Sequence, residues 1–255
     1  MLVIVWREKA IAFAVHFLVT LALSAGAAAL VFLVWYPDPF QTMLGGAKLF
    51  LVLLMCDLGL GPLTSFVIYN SKKSRRELLF DYTVIGTIQL AAFVYGLHAV
   101  AQTRPVYIAF AKDRLEVVSA GQIDDADLAL GSEGHRERPK WGPQFVGIQE
   151  PRDPKELNAV LVLSLQQGKD YPVLPKYYVP YEQKLPQIKQ RALPIVELEK
   201  HHPEAKQLLS SAVAELQVPA EKLLWLPVKT RHGFWTALLD PQTGYPLDWL
   251  PLDPL

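Results

Sequence analysis

The chain has 255 residues, 51% of them hydrophobic and 20% charged, with 25 basic and 25 acidic side chains and a formal net charge of zero. That balance offers no basic stripe for a nucleic-acid partner, and a single cysteine, Cys56, rules out an internal disulfide. The averages conceal two different polymers: residues 1–103 hold twelve charged side chains and three of the twenty prolines, and residues 104–255 hold the rest. Such a shift marks a domain boundary, and the 152 distal residues suffice for one core of their own.

Three apolar runs fill the first half. Residues 10–37 contain no Asp, Glu, Lys or Arg, residues 49–71 contain only Asp57, and residues 82–103 contain none. Each reaches the ~20 residues that a helix needs to cross about 30 Å of hydrocarbon. Three such runs in succession are hard to bury in any other way, so transmembrane helices are predicted at 10–36, 49–70 and 82–102. Trp35, Tyr36, Tyr69 and Tyr82 fall near the run ends, where amphipathic rings suit the headgroup region. Arg7, Lys9 and the small residues at 25–29 have the look of a secretory signal, but the apolar stretch continues to Trp35. That is too long for a signal core, and the first span is expected to be retained.

Loop charges give an orientation. Arg7 and Lys9 precede the first span, and Lys72, Lys73, Arg75 and Arg76 crowd the loop between the second and third, whereas the intervening loop has only Lys48. The positive-inside rule then places the N-terminus and the 72–76 loop in the cytoplasm and residues 104–255 outside, against the weaker opposing signal of Arg104, Lys112 and Arg114.

Within the spans, Asp57 stands out. An ionisable side chain at mid-span is costly and normally turns inward to find a partner. Matching depths at 1.5 Å per residue sets it level with Tyr95 on the third span and near Ser24 on the first, with Gln89 nearer the cytoplasm. Its expected role is an interhelical clamp, ahead of a contact for another protein's helix and, last, chemistry. Gly59, Gly61 and the small residues 24–29 permit close backbone approach, and Pro62 deprives the Leu58 carbonyl of its helical partner. Asp57, Gly59, Gly61, Pro62, Gln89 and Tyr95 together form the predicted membrane site, structural or partner-binding. Cys56, without a basic neighbour, reads as a packed apolar residue. Asp57 and Asp81 could suggest a two-aspartate intramembrane enzyme, but Asp81 starts the third span roughly 15 Å away in depth and is expected to pair with Arg75 or Arg76 or to face the interface.

The distal half begins with alternating residues 106–110, a turn at Lys112-Asp113 and a second alternating run, 114–119: a hairpin. Residues 121–140 form a polar loop with one helical turn. Asp153-Pro154-Lys155-Glu156 opens a helix, with Asp as cap, Pro at the first position and Glu closing the box, and Leu157, Val160, Leu161 and Leu165 on one face. Residues 171–181 are extended. Helices are predicted at 182–192 and 203–217, and strands at 224–229, 234–239 and 245–250, the last two joined by a turn at 240–244. The fold class is therefore an α-helical membrane bundle followed by a small α+β domain with antiparallel hairpins.

Chemistry is sparse. His201, His202 and Glu204 lack a third ligand at metal-binding spacing, and no phosphate loop or nucleophile elbow is present. Tyr177, Tyr178 and Tyr181 with Trp141 suit a core better than a binding surface. No enzyme, metal or cofactor is expected.

Many short matches run along the chain in order: Lys9-Ala10, His16, Tyr36-Pro37, Asp57, Gly61-Pro62-Leu63, Arg76-Glu77-Leu78, Asp81, Gln89, Tyr95-Gly96 and Arg104-Pro105-Val106. Farther on come Phe110, Asp113-Arg114, Gly142-Pro143, Tyr178-Val179-Pro180-Tyr181, Leu226-Pro227-Val228, Leu238-Leu239-Asp240, Thr243-Gly244 and Leu252-Asp253-Pro254. Their order and spacing resemble the TfpX/TfpZ family of type IV pilin accessory proteins of Gram-negative bacteria, with one departure at Leu255, where a Trp is expected. The resemblance implies a non-enzymatic inner-membrane protein with a periplasmic domain. Its partner would be a type IV pilin, which it serves as a chaperone or as a modulator of pilus assembly and dynamics. The competing reading is a membrane-anchored sensor or scaffold.

Overall fold

The computed structural model describes residues 2–70, 72–216 and 218–254, with side chains from Trp6 onward. The predicted run end at Ser71, the predicted helix end at Gln217 and the departure at Leu255 lie outside the described residues. The chain divides into two compact units, Met1–Thr103 and Arg104–Leu255.

The first unit is three long helices: α1 (Leu2–Ala29, continued by a wider helical turn to Trp35), α2 (Gly46–Ile68) and α3 (Arg75–Thr103). All three are long and apolar enough to cross a membrane. Helix α3 starts seven residues before its apolar run because its cap lies in polar sequence. The Ser74 N–H donates to Glu77 Oε2 at 2.7 Å and the Glu77 N–H to Ser74 Oγ at 3.3 Å, a reciprocal capping box.

Burial in this unit is inverted relative to a water-soluble bundle. The inward stripe of α1 carries Thr20, Ser24, Ala27 and Val31, and that of α2 carries Phe50, Leu53, Asp57, Gly61 and Ser65. Leu18, Leu33, Val52, Met55, Leu60, Val67, Leu79 and Ile88 face outward. Water would penalise that arrangement by roughly 25 cal/mol per Å² of apolar surface, whereas lipid does not. Cys56, read as a packed apolar residue, shares this outer face and is exposed. Tyr36 is corrected the other way. Instead of anchoring at an interface it is fully buried, its hydroxyl donating to the Val100 carbonyl at 2.8 Å and lying 2.6 Å from Thr103 Oγ1. A Cβ at Gly46 would come within 2.5 Å of its ring, so glycine is needed there.

Among the described residues of the second unit eight strands form one mixed sheet: β1 (Pro105–Ala111), β2 (Arg114–Ser119), β3 (Gln144–Ile148), β4 (Tyr178–Pro180), β5 (Leu193–Pro194), β6 (Leu224–Thr230), β7 (Gly233–Leu239) and β8 (Pro246–Leu250). The order is β4-β3-β1-β2-β6-β7-β8, with β5 on β6. Hairpins β1–β2, β6–β7 and β7–β8 are antiparallel, but β1 pairs with β3, and β2 with β6, in parallel. The expectation of a domain built on antiparallel strands is therefore corrected. Parallel pairs need a long crossover, and nothing local in the sequence marks where such a chain returns.

Helix α4 (Pro154–Gln167) starts where predicted, its cap Asp153 accepting from the Lys155 N–H at 3.0 Å. Glu156 does not close the box; it accepts from the Tyr177 hydroxyl at 3.0 Å and pairs with Lys176. The predicted inward face is also too wide. Val160 is buried, but Leu161 and Leu165 are 57% and 78% exposed, since at ~100° per residue they lie well to one side of Leu157 and Val160. The 171–181 segment folds into two tight helical turns before β4. The predicted 182–192 helix is α5 (Leu185–Arg191), α6 (Ile195–His201) went unpredicted, and the 203–217 helix is α7 (Lys206–Glu215) after a tight turn.

Apolar clusters of this unit include one around Tyr107, Val146, Val160 and Tyr178 and another around Ile195, Leu198, Leu209 and Trp225. Tyr177, Tyr178 and Tyr181 are core residues and Trp141 is exposed. Tyr181 donates to the Gly244 carbonyl at 2.9 Å, and burial pushes the phenols of Tyr107 and Tyr177 up to about 12.

Candidate functional site

The first unit gathers its polar side chains on one internal seam. His16, Thr20 and Ser24 succeed one another every four residues on α1, and Asp57, Gly61 and Ser65 do so on α2. Residues four apart share a helix face. The two helices run antiparallel, so His16 meets Ser65 at one end and Phe32 meets Phe50 at the other, with Ser24 and Asp57 level between them.

Helix α3 contributes Gln89. His16 Nδ1 is hydrogen-bonded to Ser65 Oγ, and His16 Nε2 lies 2.7 Å from Gln89 Oε1. Gln89 Nε2 donates to the Asp57 main-chain carbonyl at 3.3 Å and to Thr20 Oγ1 at 3.4 Å. A carbonyl only accepts, which fixes the amide's orientation. The network then assigns the His16 proton to Nε2, with Nδ1 accepting from the Ser65 hydroxyl. Gly61 makes room for this: a Cβ there would lie 2.1 Å from Gln89 Nε2.

Of the six predicted residues, Asp57, Gly61 and Gln89 come together on the seam, with Pro62 buried next to Gly61 within α2. Gly59 does not join them, for a Cβ there would meet nothing within 4 Å. Tyr95 is 77% exposed and is not Asp57's partner. Depth matching gives a level but no azimuth. At ~100° per residue, Phe93 and Gly96 share the face of Gln89, whereas Tyr95 points about 120° away. Thr20 and Ser65 were missed, and His16 was noted without a role. The paired four-residue spacing was the available signal.

Asp57 is 4% exposed and Ser24 2%, yet neither Asp57 Oδ2 nor Ser24 Oγ has a hydrogen-bond partner among the described residues. Both residues line a cavity of about 140 Å³ with His16, Thr20, Gln89 and Phe93. The seam is a helix-contact site and not a carboxylate dyad. Asp81 lies two turns before Gln89 on α3, about 12 Å along the axis, and is held by Lys73 at 2.6 Å. The expected pairing of Asp81 with Arg75 or Arg76 is corrected: five and six residues away on the same helix, they lie around its far side, whereas Lys73 precedes the helix and folds back. In the second unit, His202 Nδ1 meets Glu204 at 3.0 Å and His201 Nδ1 meets the Glu197 carbonyl at 2.7 Å, so the two rings diverge. Among the described residues no three acidic, His or Cys side chains cluster as metal ligands would.

These features define a class: three helices fit to span a membrane, joined by an internal polar seam, followed by a separate mixed-sheet unit. The particular family comes from comparison with known proteins. Residues 4–45 match the model of the fimbrial assembly protein FimB family. Over 228 residues the chain is 31% identical to the fimbrial assembly protein of Dichelobacter nodosus serogroup I, covering 89% of this chain and 88% of that one. The serogroup E1 protein is 29% identical over the same shares, and the protein of serogroups C1 and C2 is 39% identical over 109 residues, 43% of this chain and 83% of its own. The chain belongs to the fimbrial assembly protein family. No solved structure gives a significant match.

Proposed function

We propose that this protein is an inner-membrane accessory factor of type IV fimbriae that acts in fimbrial biogenesis as a chaperone of the pilin or a modulator of its assembly. Its N-terminus lies in the cytoplasm and residues 104–255 in the periplasm. The observation that carries this reading is the relation, along nearly the whole chain, to a protein named for fimbrial assembly. The type IV assignment rests in addition on the TfpX/TfpZ resemblance of the sequence.

The physics is consistent with it. A pilin awaiting assembly has one apolar helix in the bilayer and a globular head outside it, and a partner with a helix bundle and a folded outer unit matches both parts. Four basic residues at 72–76 support the orientation, and the Lys73–Asp81 pair does not weaken that argument, because the rule counts Lys and Arg rather than net charge.

The test is a pair of alkaline phosphatase fusions in the intact cell. A fusion after Leu255 is expected to be active and one within 72–76 inactive; the reverse pattern overturns the orientation and with it the periplasmic contact. In a deletion strain, surface fimbriae are expected to change in amount while the pilin is still synthesised, and unaltered fimbriation overturns the biogenesis role.

A further inference from the structure

We infer that Asp57 and Ser24 form a socket for a hydrogen-bond donor carried on a partner's membrane helix. This rests on the reading of the protein as one that contacts a fimbrial subunit, and it names the place and the chemistry of that contact.

The first observation is what Asp57 does not do. The three helices are tied by Ser65–His16–Gln89, and Gln89 grips the main-chain carbonyl of Asp57, not its carboxyl group. A leucine at position 57 would keep that bond. The carboxyl oxygen Oδ2 and the Ser24 hydroxyl are nine-tenths buried without a partner, on facing helices at one level. Polar groups left unpaired in a hydrocarbon setting oppose folding, so stability of the isolated bundle does not account for them.

The second observation is the space in front of them. The cavity is rimmed by Val19 and Leu23 of α1 and Leu90 of α3, each more than half exposed, so it opens on the outer face between these helices. About 140 Å³ is room for the end of one side chain, a few water volumes at ~30 Å³ each. An apolar helix lying in the groove would cover the rim by close packing, the driving force for helix association in lipid.

The third is charge. No Lys or Arg lines the cavity, and both ring nitrogens of His16 are engaged. Intramembrane carboxyl groups pair with a complementary group, and here the first unit supplies none among its described residues. The occupant that completes the site is an apolar transmembrane helix bearing an amine or hydroxyl at the level of Asp57.

The experiment uses the full-length protein in membranes, co-expressed with its fimbrial subunit. A photo-crosslinking residue is placed at Leu23 or Leu90 on the rim, and separately at the exposed Trp141 in the distal unit. Rim crosslinks to the subunit are expected, falling at least tenfold in Asp57→Leu and several-fold in Ser24→Ala. Meanwhile Asp57→Leu should unfold in bilayer mimetics at an unchanged or higher temperature. With Asp57→Asn, retained crosslinks identify a neutral donor and a tenfold loss at unchanged stability identifies a cation; both support the socket. Rim crosslinks indifferent to Asp57→Leu overturn it, as does a clear drop in that variant's unfolding temperature, which would make Asp57 a clamp. Crosslinks from Trp141 alone overturn the socket but keep the functional reading. None from either position overturns that reading itself.

Discussion

Gly59 and Gly61 are two residues apart on one helix and have opposite roles. A methyl group at Gly59 meets open space, whereas one at Gly61 would overlap Gln89. Gln89 is flexible and would swing aside, giving up its bonds to His16, Thr20 and the Asp57 carbonyl. Bonds of this kind in membranes are worth on the order of 1 kcal/mol each, partly offset here by the better helix propensity of alanine. Gly61→Ala is therefore expected to destabilise the bundle by about 1 kcal/mol and Gly59→Ala to leave it unchanged or slightly more stable. In a Gln89→Ala background the Gly61→Ala cost should vanish, because its target is gone. A double-mutant cycle on reversible unfolding in bicelles measures this, and a cost that persists without Gln89 would refute the assignment.

At the level of elements, one helix can be read too generously from its pattern. Helix α4 carries leucines and valines around more than half its circumference, but only the Leu157–Val160 side meets the sheet. Val160→Ala removes buried methyl groups and is expected to cost about 2 kcal/mol. Leu165→Lys changes a side chain that is 78% exposed and should stay within about 0.5 kcal/mol. Urea unfolding of both variants distinguishes the faces, and a large loss for Leu165→Lys would mean that α4 is rotated from the orientation described. The spans obey the complementary rule: outward leucine and inward serine, histidine, glutamine and aspartate are consistent only with a surrounding that is itself apolar.

For the whole molecule, the two units have separate cores, and every strand of the sheet lies in the second. Residues 104–255 alone are expected to fold, with a cooperative thermal transition by circular dichroism; a non-cooperative melt would overturn this. Their stability should depend on pH through His135, which packs on the rings of Tyr107 and Tyr178 and whose burial lowers its pKa below 6.5. The folded state then binds fewer protons than the unfolded one. The contribution is fully present above pH 6.5 and is lost as pH falls through the folded value. His135→Gln should flatten that part of the profile.

The amino-acid sequence by itself determined what depends on local pattern. Run length gave three helices long and apolar enough to span a membrane; alternation and turn chemistry gave the β1–β2 and β7–β8 hairpins; Asp153-Pro154 gave the start of α4. It also marked Asp57, Gly61 and Gln89 as the polar and small residues of the bundle. Only the tertiary structure decided what depends on azimuth and on distant returns of the chain. The parallel pairing of β1 with β3 and of β2 with β6 joins segments whose local signals are silent about their partners. A depth count favoured Tyr95 over Gln89, but the rotation of α3 turns Tyr95 outward and Gln89 to His16. A one-dimensional pattern encodes spacing along an element, while the partner of a side chain is set by how elements rotate and pack against one another. For that reason the carboxyl group of Asp57 could be found from the sequence, and its lack of a partner could not.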